Sequence, residues 1–233
     1  MMLRSAGITD ISVLSALESV PRPSFIPRNF MDKAYEDVAL PIARGQTISR
    51  PSVVAAMTQA LDLKDNHIVL EIGTGSAYQT AILAKIARRV YSIERHDILY
   101  QAAKETLDSL KIRNVTTICA DGFKGWPHSD IKFDRIIVTA AALNEAPQDL
   151  LDQLAIGGIM IIPLSIDNKT QYIVRITKTE NGFEKDELFP VRFVPLLPNV
   201  DRGEDYGYRN YVRESHSAPN LNSAVDHYEN AIS

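Results

Sequence analysis

A single cysteine, Cys119, stands in the chain of 233 residues, so no intramolecular disulfide can form and a reducing compartment is expected. Long apolar runs are missing as well: nothing approaches the ~20 consecutive apolar residues that cross a bilayer. The opening Met1-Met2-Leu3-Arg4-Ser5-Ala6 has no apolar core leading to a cleavage site, which makes the cytoplasm the expected location. Positive charge is not in excess. Twenty-five Lys+Arg face 29 Asp+Glu, a net charge of −4, so the chain lacks the broad basic surface that displaces counterions from nucleic acid. Neither nucleic acid nor a membrane is an expected partner. His67, His96, His128, His216 and His227 follow no metal-ligand spacing, and no metal is expected. Internal repeats are absent. What remains is an ordinary globular composition, 45% hydrophobic and 23% charged.

Apolar periodicity alternates between helix and strand. Ile11, Leu14, Leu17 and Val20 recur at helical spacing behind Thr9-Asp10, a capping pair. Pro21, Pro23 and Pro27 then predict an extended linker. A second helix is expected from Pro51, with Ser49 available as its cap and Val53, Met57, Ala60 and Leu61 facing inward. From His67 the pattern becomes strand, glycine turn, helix, strand. His67–Ile72, Val90–Ile93, Val115–Cys119, Phe133–Val138 and Ile159–Ile162 read as strands, the first nearly continuous in apolar residues, as in a parallel strand covered on both faces. Between them, Tyr78, Ile82 and Ile86 stripe one helix, Ile98, Ala102, Thr106 and Leu110 another, and Leu150, Leu151 and Leu154 a third. The expected fold is α/β, a doubly wound and mostly parallel sheet, Rossmann-like, with an N-terminal helical extension. Alternation over Tyr172–Ile176 and the Asn181-Gly182 turn signal add an antiparallel edge.

Residues 1–198 are expected to form this domain and 199–233 a polar tail, rich in charge and holding Tyr206, Tyr208, Tyr211 and Tyr228. A solvated tail is one reading of that composition. The other is docking onto a partner or a sister subunit, which gives a homo-oligomer.

The chemistry gathers at the predicted strand ends. Glu71-Ile-Gly-Thr-Gly-Ser-Ala77 lies between strand and helix, where glycines let backbone approach a ligand. Glu94 follows Gly73 by 21 positions, the place of an acid that binds ribose hydroxyls. Asp121-Gly122 adds a polar group on the same edge. A dinucleotide and S-adenosylmethionine both suit this pattern, but Tyr78 occupies the place of the third dinucleotide glycine. Glu71, a carboxylate before the loop, favours a cationic ligand. Trp126 beside Gly125 reads as core, and Cys119 as a small buried hydrophobe.

With these residues the chain resembles the protein-L-isoaspartate O-methyltransferase family from about Ile8 to Leu196. The similar segments include Val20–Pro27, Ala34–Ile42, Gly45–Ser49 with Pro51, Val69–Ser76, Ser92–Arg95, Phe133–Ala141 and Val191–Leu196. The Gly45–Ser49 and Val191–Leu196 segments are the specific ones, because in the family they form the substrate side of the site. The resemblance implies methyl transfer from the cofactor S-adenosylmethionine to the carboxylate of L-isoaspartyl residues in aged proteins and peptides. By position, Gly73, Thr74, Gly75 and Ser76 hold its methionine part, Glu94 and Arg95 its ribose region, and Asp121 with Gly122 its adenine. Thr47 and Ile48 close over the methyl end, and Ser49 falls on the active-site position. Asp37 shapes the substrate pocket, while Phe193, Val194, Pro195 and Leu196 grip the substrate backbone. Three places depart from the family pattern: Ala77 replaces a glycine, Arg50 precedes Pro51, and Leu143-Asn144 replaces Pro-Glu. At Ala77 the sequence leaves open whether the backbone is left-handed or already helical. A cofactor-binding module without turnover, and a methyltransferase with another substrate, are the competing readings.

Overall fold

The computed structural model describes residues 2–127, 130–165 and 170–202. His128, His216, His227 and the tail tyrosines Tyr206, Tyr208, Tyr211 and Tyr228 lie outside the described residues, and so does the expected docking role of the tail. Among the described residues, no helix is long and apolar enough to cross a membrane.

The N-terminal part contains α1 (Met2–Ser5) and α2 (Ile11–Ser19), the latter capped as expected by Asp10, whose Oδ1 accepts from the Ser12 and Val13 amides at 2.8 and 3.3 Å. The buried stripe of α2 is Val13, Ala16 and then Val20, not the one that begins at Ile11, which is 75% exposed. The proline segment is not extended. It forms two 3₁₀ turns, Arg22–Phe25 and Arg28–Lys33, because each proline fixes a φ that a helical turn also uses. A short hairpin of β1 (Leu40–Pro41) and β2 (Thr47–Ile48) follows, and then α3 (Pro51–Ala60). Here Ser49 is not the cap. The N-cap is Arg50, without a side-chain bond, and Asp37 Oδ1 accepts from the Ser52 amide at 2.8 Å.

The main sheet is built from β3 (Ile68–Ile72), β4 (Arg89–Glu94), β5 (Val115–Cys119), β6 (Phe133–Val138), β7 (Ala142–Leu143), β8 (Leu154–Ser165), β9 (Gln171–Thr179) and β10 (Gly182–Val191). The connecting helices are α4 (Tyr78–Ile86), α5 (Asp97–Ser109) and α6 (Gln148–Gln153). Strand order is β10-β9-β8-β6-β3-β4-β5, with β7 paired to β8. Pairs from β8 to β5 are parallel, while β8–β9 and β9–β10 are antiparallel. The sheet is therefore doubly wound with an antiparallel edge, turned by Gly182 at φ 139.

Alternate residues of each central strand feed opposite cores. Val69, Val90, Ile137, Ile159 and Ile161 pack with Met57 of α3, Leu61 just past its end and Leu83 of α4. Leu70, Ile72, Ile136, Val138, Met160 and Ile162 pack with Trp126 and with Leu150 and Leu151 of α6. Trp126 is core, edge-on to Tyr91 with ring centroids 4.8 Å apart. On α5 the buried stripe is Ile98, Leu99, Ala103 and Leu107, one position on from the expected Ala102–Thr106–Leu110 line. Cys119 is half-buried rather than core, its thiol pushed up by burial.

Ala77, the N-cap of α4, sits at φ 69 and ψ 12 and is wholly buried. The left-handed conformation costs an alanine about 1–2 kcal/mol. Ala77→Gly removes that strain, adds about 0.4–1 kcal/mol of unfolded-chain entropy and loses a buried methyl that contributes about 0.8 kcal/mol. The expected net change is within about 1 kcal/mol, read as a small shift of the urea midpoint. A loss above about 2 kcal/mol would show that the methyl's packing outweighs the backbone strain.

Candidate functional site

Chain order reverses at β3, whose neighbours are β4 on one side and β6 on the other, and open α/β sheets bind ligands beyond the carboxyl ends of such strands. Gly73, at φ 96, leaves β3 there with its amide donating to the Ile93 carbonyl at 2.8 Å. From the β6 side the Thr139 amide donates to the Ile72 carbonyl at 2.9 Å, and the Thr139 hydroxyl lies 2.7 Å from the Gly73 carbonyl. A Cβ on Gly73 would fall 2.3 Å from Thr139 Oγ1, so this position admits glycine for space as well as for φ. Gly75, at φ 53, carries the loop toward α4.

Glu71 lies under this loop and does not face the ligand space. It is fully buried, and its Oε2 accepts from the Ser92 and Thr80 hydroxyls at 2.6 and 2.5 Å. Ser92 is in turn 2.6 Å from the Thr74 hydroxyl, so a run of hydroxyls ties the loop to the acid. Oε1 has no hydrogen-bond partner. Burial, aided by the Glu94 charge, pushes the Glu71 carboxyl up to about 8 against the two hydroxyl bonds that lower it. The expectation that Glu71 offers a charge to a cationic ligand is thus corrected. At neutral pH it is a neutral acid, because nothing replaces the water its second oxygen loses.

The carboxyl end of β4 carries the acid that faces the cavity instead. Glu94 Oε2 accepts from the Gly75 amide at 2.8 Å and Oε1 from the His96 amide at 2.9 Å. Each carboxylate oxygen has two acceptor sites, so both keep one for a ligand hydroxyl. Arg95 is turned to the C-terminal strap: Nε donates to the Asn199 carbonyl at 3.1 Å and Nη2 to that of Pro198 at 3.3 Å. Asp201 fixes the end of this strap. Its Oδ2 lies 2.9 Å from His96 Nδ1 and 2.6 Å from Arg44 Nη2, and its amide donates to the Arg95 carbonyl at 2.8 Å. These contacts carry the packed chain past residue 198.

The opposite wall comes from the β1–β2 hairpin and the segment after β10. Thr47, Ile48 and Ser49 line a cavity of about 230 Å³ together with Gly73–Ser76, Glu94, Arg95, Gly122 and Phe193–Leu196. The last segment is pinned beside β6, where the Ala141 amide donates to the Val194 carbonyl at 2.8 Å and the Leu196 amide to that of Ala141 at 2.7 Å. Two expected residues do not line this cavity. Asp37 is engaged at the start of α3, and Asp121 caps a 3₁₀ turn through the Phe123 amide at 2.9 Å. Sequence reasoning missed His96, Thr139 and Tyr78 as lining residues, and Arg44, Asp201 and Arg22 as the ties behind them. Of these the hydrophobic pattern carried only Tyr78, and that as a helix stripe rather than a cavity wall. Among the described residues, no His/Cys/Asp/Glu group is arranged to hold a metal.

Glu71 generates a test. Between pH 4.5 and about 8 the folded chain holds a proton that the unfolded chain has released, so its contribution to stability falls as pH rises and levels off above that window. Relative to Glu71→Gln, which does not titrate, the wild type should lose stability from pH 5 to pH 8 with a limiting slope of about 1 kcal/mol per pH unit. Urea unfolding at several pH values measures it, and a constant difference between the two proteins would mean that Glu71 ionises normally in the fold.

Known proteins resemble this chain in sequence and fold. The sequence profile described as Protein-L-isoaspartate(D-aspartate) O-methyltransferase (PCMT) matches residues 1–201. A protein-L-isoaspartate O-methyltransferase of Rhodospirillum centenum is 53% identical over 200 residues, 86% of this chain and 90% of the relative. One from Ruegeria pomeroyi is 54% identical over 200 residues, 86% of this chain and 92% of the relative. Among solved structures, a Plasmodium falciparum protein described as a candidate enzyme of this kind, in complex with S-adenosyl-L-homocysteine, superposes with a TM-score of 0.74 at 32% identity, covering 84% of this chain and 95% of the other. The match extends over most of the chain in sequence and in fold, and the chain belongs to the protein-L-isoaspartate(D-aspartate) O-methyltransferase family.

Proposed function

We propose that this chain is a repair enzyme that transfers a methyl group from S-adenosylmethionine to the free carboxylate of L-isoaspartyl residues in damaged proteins and peptides. The observation that carries this is the single cavity walled on one side by the glycine loop with Glu94 and on the other by Thr47–Ser49 and Phe193–Leu196. Donor and acceptor segments face the same space.

The residues fit the cofactor. Gly73 leaves room where a Cβ would strike Thr139, Gly75 takes a left-handed turn at φ 53, and the two half-satisfied oxygens of Glu94 suit a ribose diol. In this reading Gly73, Thr74, Gly75 and Ser76 hold the methionine part, Glu94 and Arg95 border the ribose, and Gly122, fixed by the Asp121 turn, borders the adenine. When bound, the cofactor brings a methyl group activated by a positively charged sulfur. Thr47 and Ile48 cover that end and exclude water, and Phe193–Leu196 present backbone groups to the substrate chain. Asp37 serves the substrate side by holding the start of α3. We place the methyltransferase domain at residues 1–198 with the strap to Asp201 packed on it, and its location in the cytoplasm.

The substrate carboxylate, with an ordinary pKa of about 4, is ionised at neutral pH and needs no enzyme base. The remaining task is alignment and exclusion of water. The Ser49 hydroxyl donates to one carboxylate oxygen and leaves the other to attack. Ser49→Ala should slow methylation by on the order of a hundredfold, the effect of misplacing an acceptor by about 1 Å, with S-adenosylhomocysteine affinity nearly unchanged. An isoaspartyl peptide and labelled methyl donor give the readout, and the product should release methanol in mild base. A base-stable product would contradict ester formation. Full activity in Ser49→Ala would remove Ser49 from the acceptor site.

A further inference from the structure

Arg22 is among the most deeply buried charged side chains described, 2% exposed. Its Nη1 donates to the carbonyls of Ala34 and Glu36 at 2.8 and 3.3 Å, and its Nη2 to those of Val38 and Ser49 at 2.9 and 3.2 Å. The guanidinium also lies over the Tyr78 ring, 5.8 Å from its centroid, and Tyr78 lines the cavity. The acceptors are backbone carbonyls from two separate segments, and Nε is buried with no hydrogen-bond partner. A staple between loops could be assembled from neutral amides. A buried cation with one donor unsatisfied is a costly way to join them, and the place it reaches is the backbone of Ser49.

We propose that Arg22 is a positioning residue for the acceptor side of the site: by holding the Ser49 carbonyl together with the 34–38 segment and packing on Tyr78, it sets where the Ser49 hydroxyl stands. This rests on the reading of Ser49 given above. Asp37 completes the same stitching, its Oδ1 on the Ser52 amide and its charge close enough to favour the Arg22 cation. Arginine is needed for geometry, since its planar fork addresses four carbonyls at once and a lysine ammonium is a point with three donors. None of the four bonds goes to the glycine loop, so donor binding is set elsewhere.

The test uses Arg22→Lys, which keeps the buried charge, beside Arg22→Ala, each alone and combined with Ser49→Ala. Thermal unfolding checks the fold, calorimetry gives S-adenosylhomocysteine affinity, and single-turnover methylation of an isoaspartyl peptide gives the chemical step. In Arg22→Lys, affinity should stay within about threefold while the methylation rate falls roughly tenfold or more. Ser49→Ala, which slows the wild type by on the order of a hundredfold, should slow Arg22→Lys by only about tenfold or less, because the hydroxyl is already misplaced. Additive losses overturn the proposal, since a structural staple gives additivity. So does an equal fall in cofactor affinity, or full activity in either Arg22 variant. A wild-type protein that binds S-adenosylhomocysteine yet leaves the peptide unmethylated overturns the functional reading itself, an outcome separate from these.

Discussion

The amide of Gly73 donates to the carbonyl of Ile93, and the amide of Thr139 donates to the carbonyl of Ile72. These two bonds hold β3 between neighbours whose connections run to opposite faces of the sheet, and they end it at the same level on both sides. With the strand stopped there, its next residues must turn out over the gap. Gly73 accepts the turn because a side chain would strike Thr139. The loop amide that emerges from it meets Glu94, the last residue of β4. The cavity, the acid at its rim and the start of α4 all depend on where β3 ends.

Around that point the protein buries two ionisable groups for different ends. Glu71 is neutralised by its surroundings and lends its oxygen to two hydroxyls, so the loop rests on a hydrogen-bond network without a net charge beneath it. Arg22 keeps its charge and spreads it over four carbonyls. An ordinary carboxyl titrates only about 3 pH units below neutrality, so burial can carry it to its neutral form, whereas guanidinium starts far enough above neutrality to stay protonated even when burial lowers its pKa.

The parallel strands were legible because each is a short apolar run between turn signals, and the Asn181-Gly182 hairpin because its turn chemistry is local. Strand ends carrying Gly73, Glu94 and Gly122 followed from the same logic. What sequence did not carry was rotation about an element. The stripes of α2 and α5 sit about one residue away from the periodic choice: Val13 and Ala16 are buried where Ile11 is 75% exposed, and Ala103 and Leu107 where Ala102 and Thr106 were expected. The β1–β2 hairpin was hidden by Pro41 and by its two-residue strands. That Asp37, and not Ser49, bonds the start of α3 was hidden for a similar reason: an acceptor 15 residues upstream leaves no local signature. The same holds for Arg44, His96 and Asp201, which meet across more than 100 residues.

Asp201 presents one carboxylate oxygen to both Arg44 and His96. Arg44 belongs to the hairpin that walls the acceptor side, His96 to the turn beside the cofactor side, and Asp201 to the strap between them. An oxygen shared in this way cannot follow one partner outward without leaving the other. The hairpin, the turn after β4 and the strap thus meet at a single oxygen, so the two walls of the cavity share one tie as well as one floor.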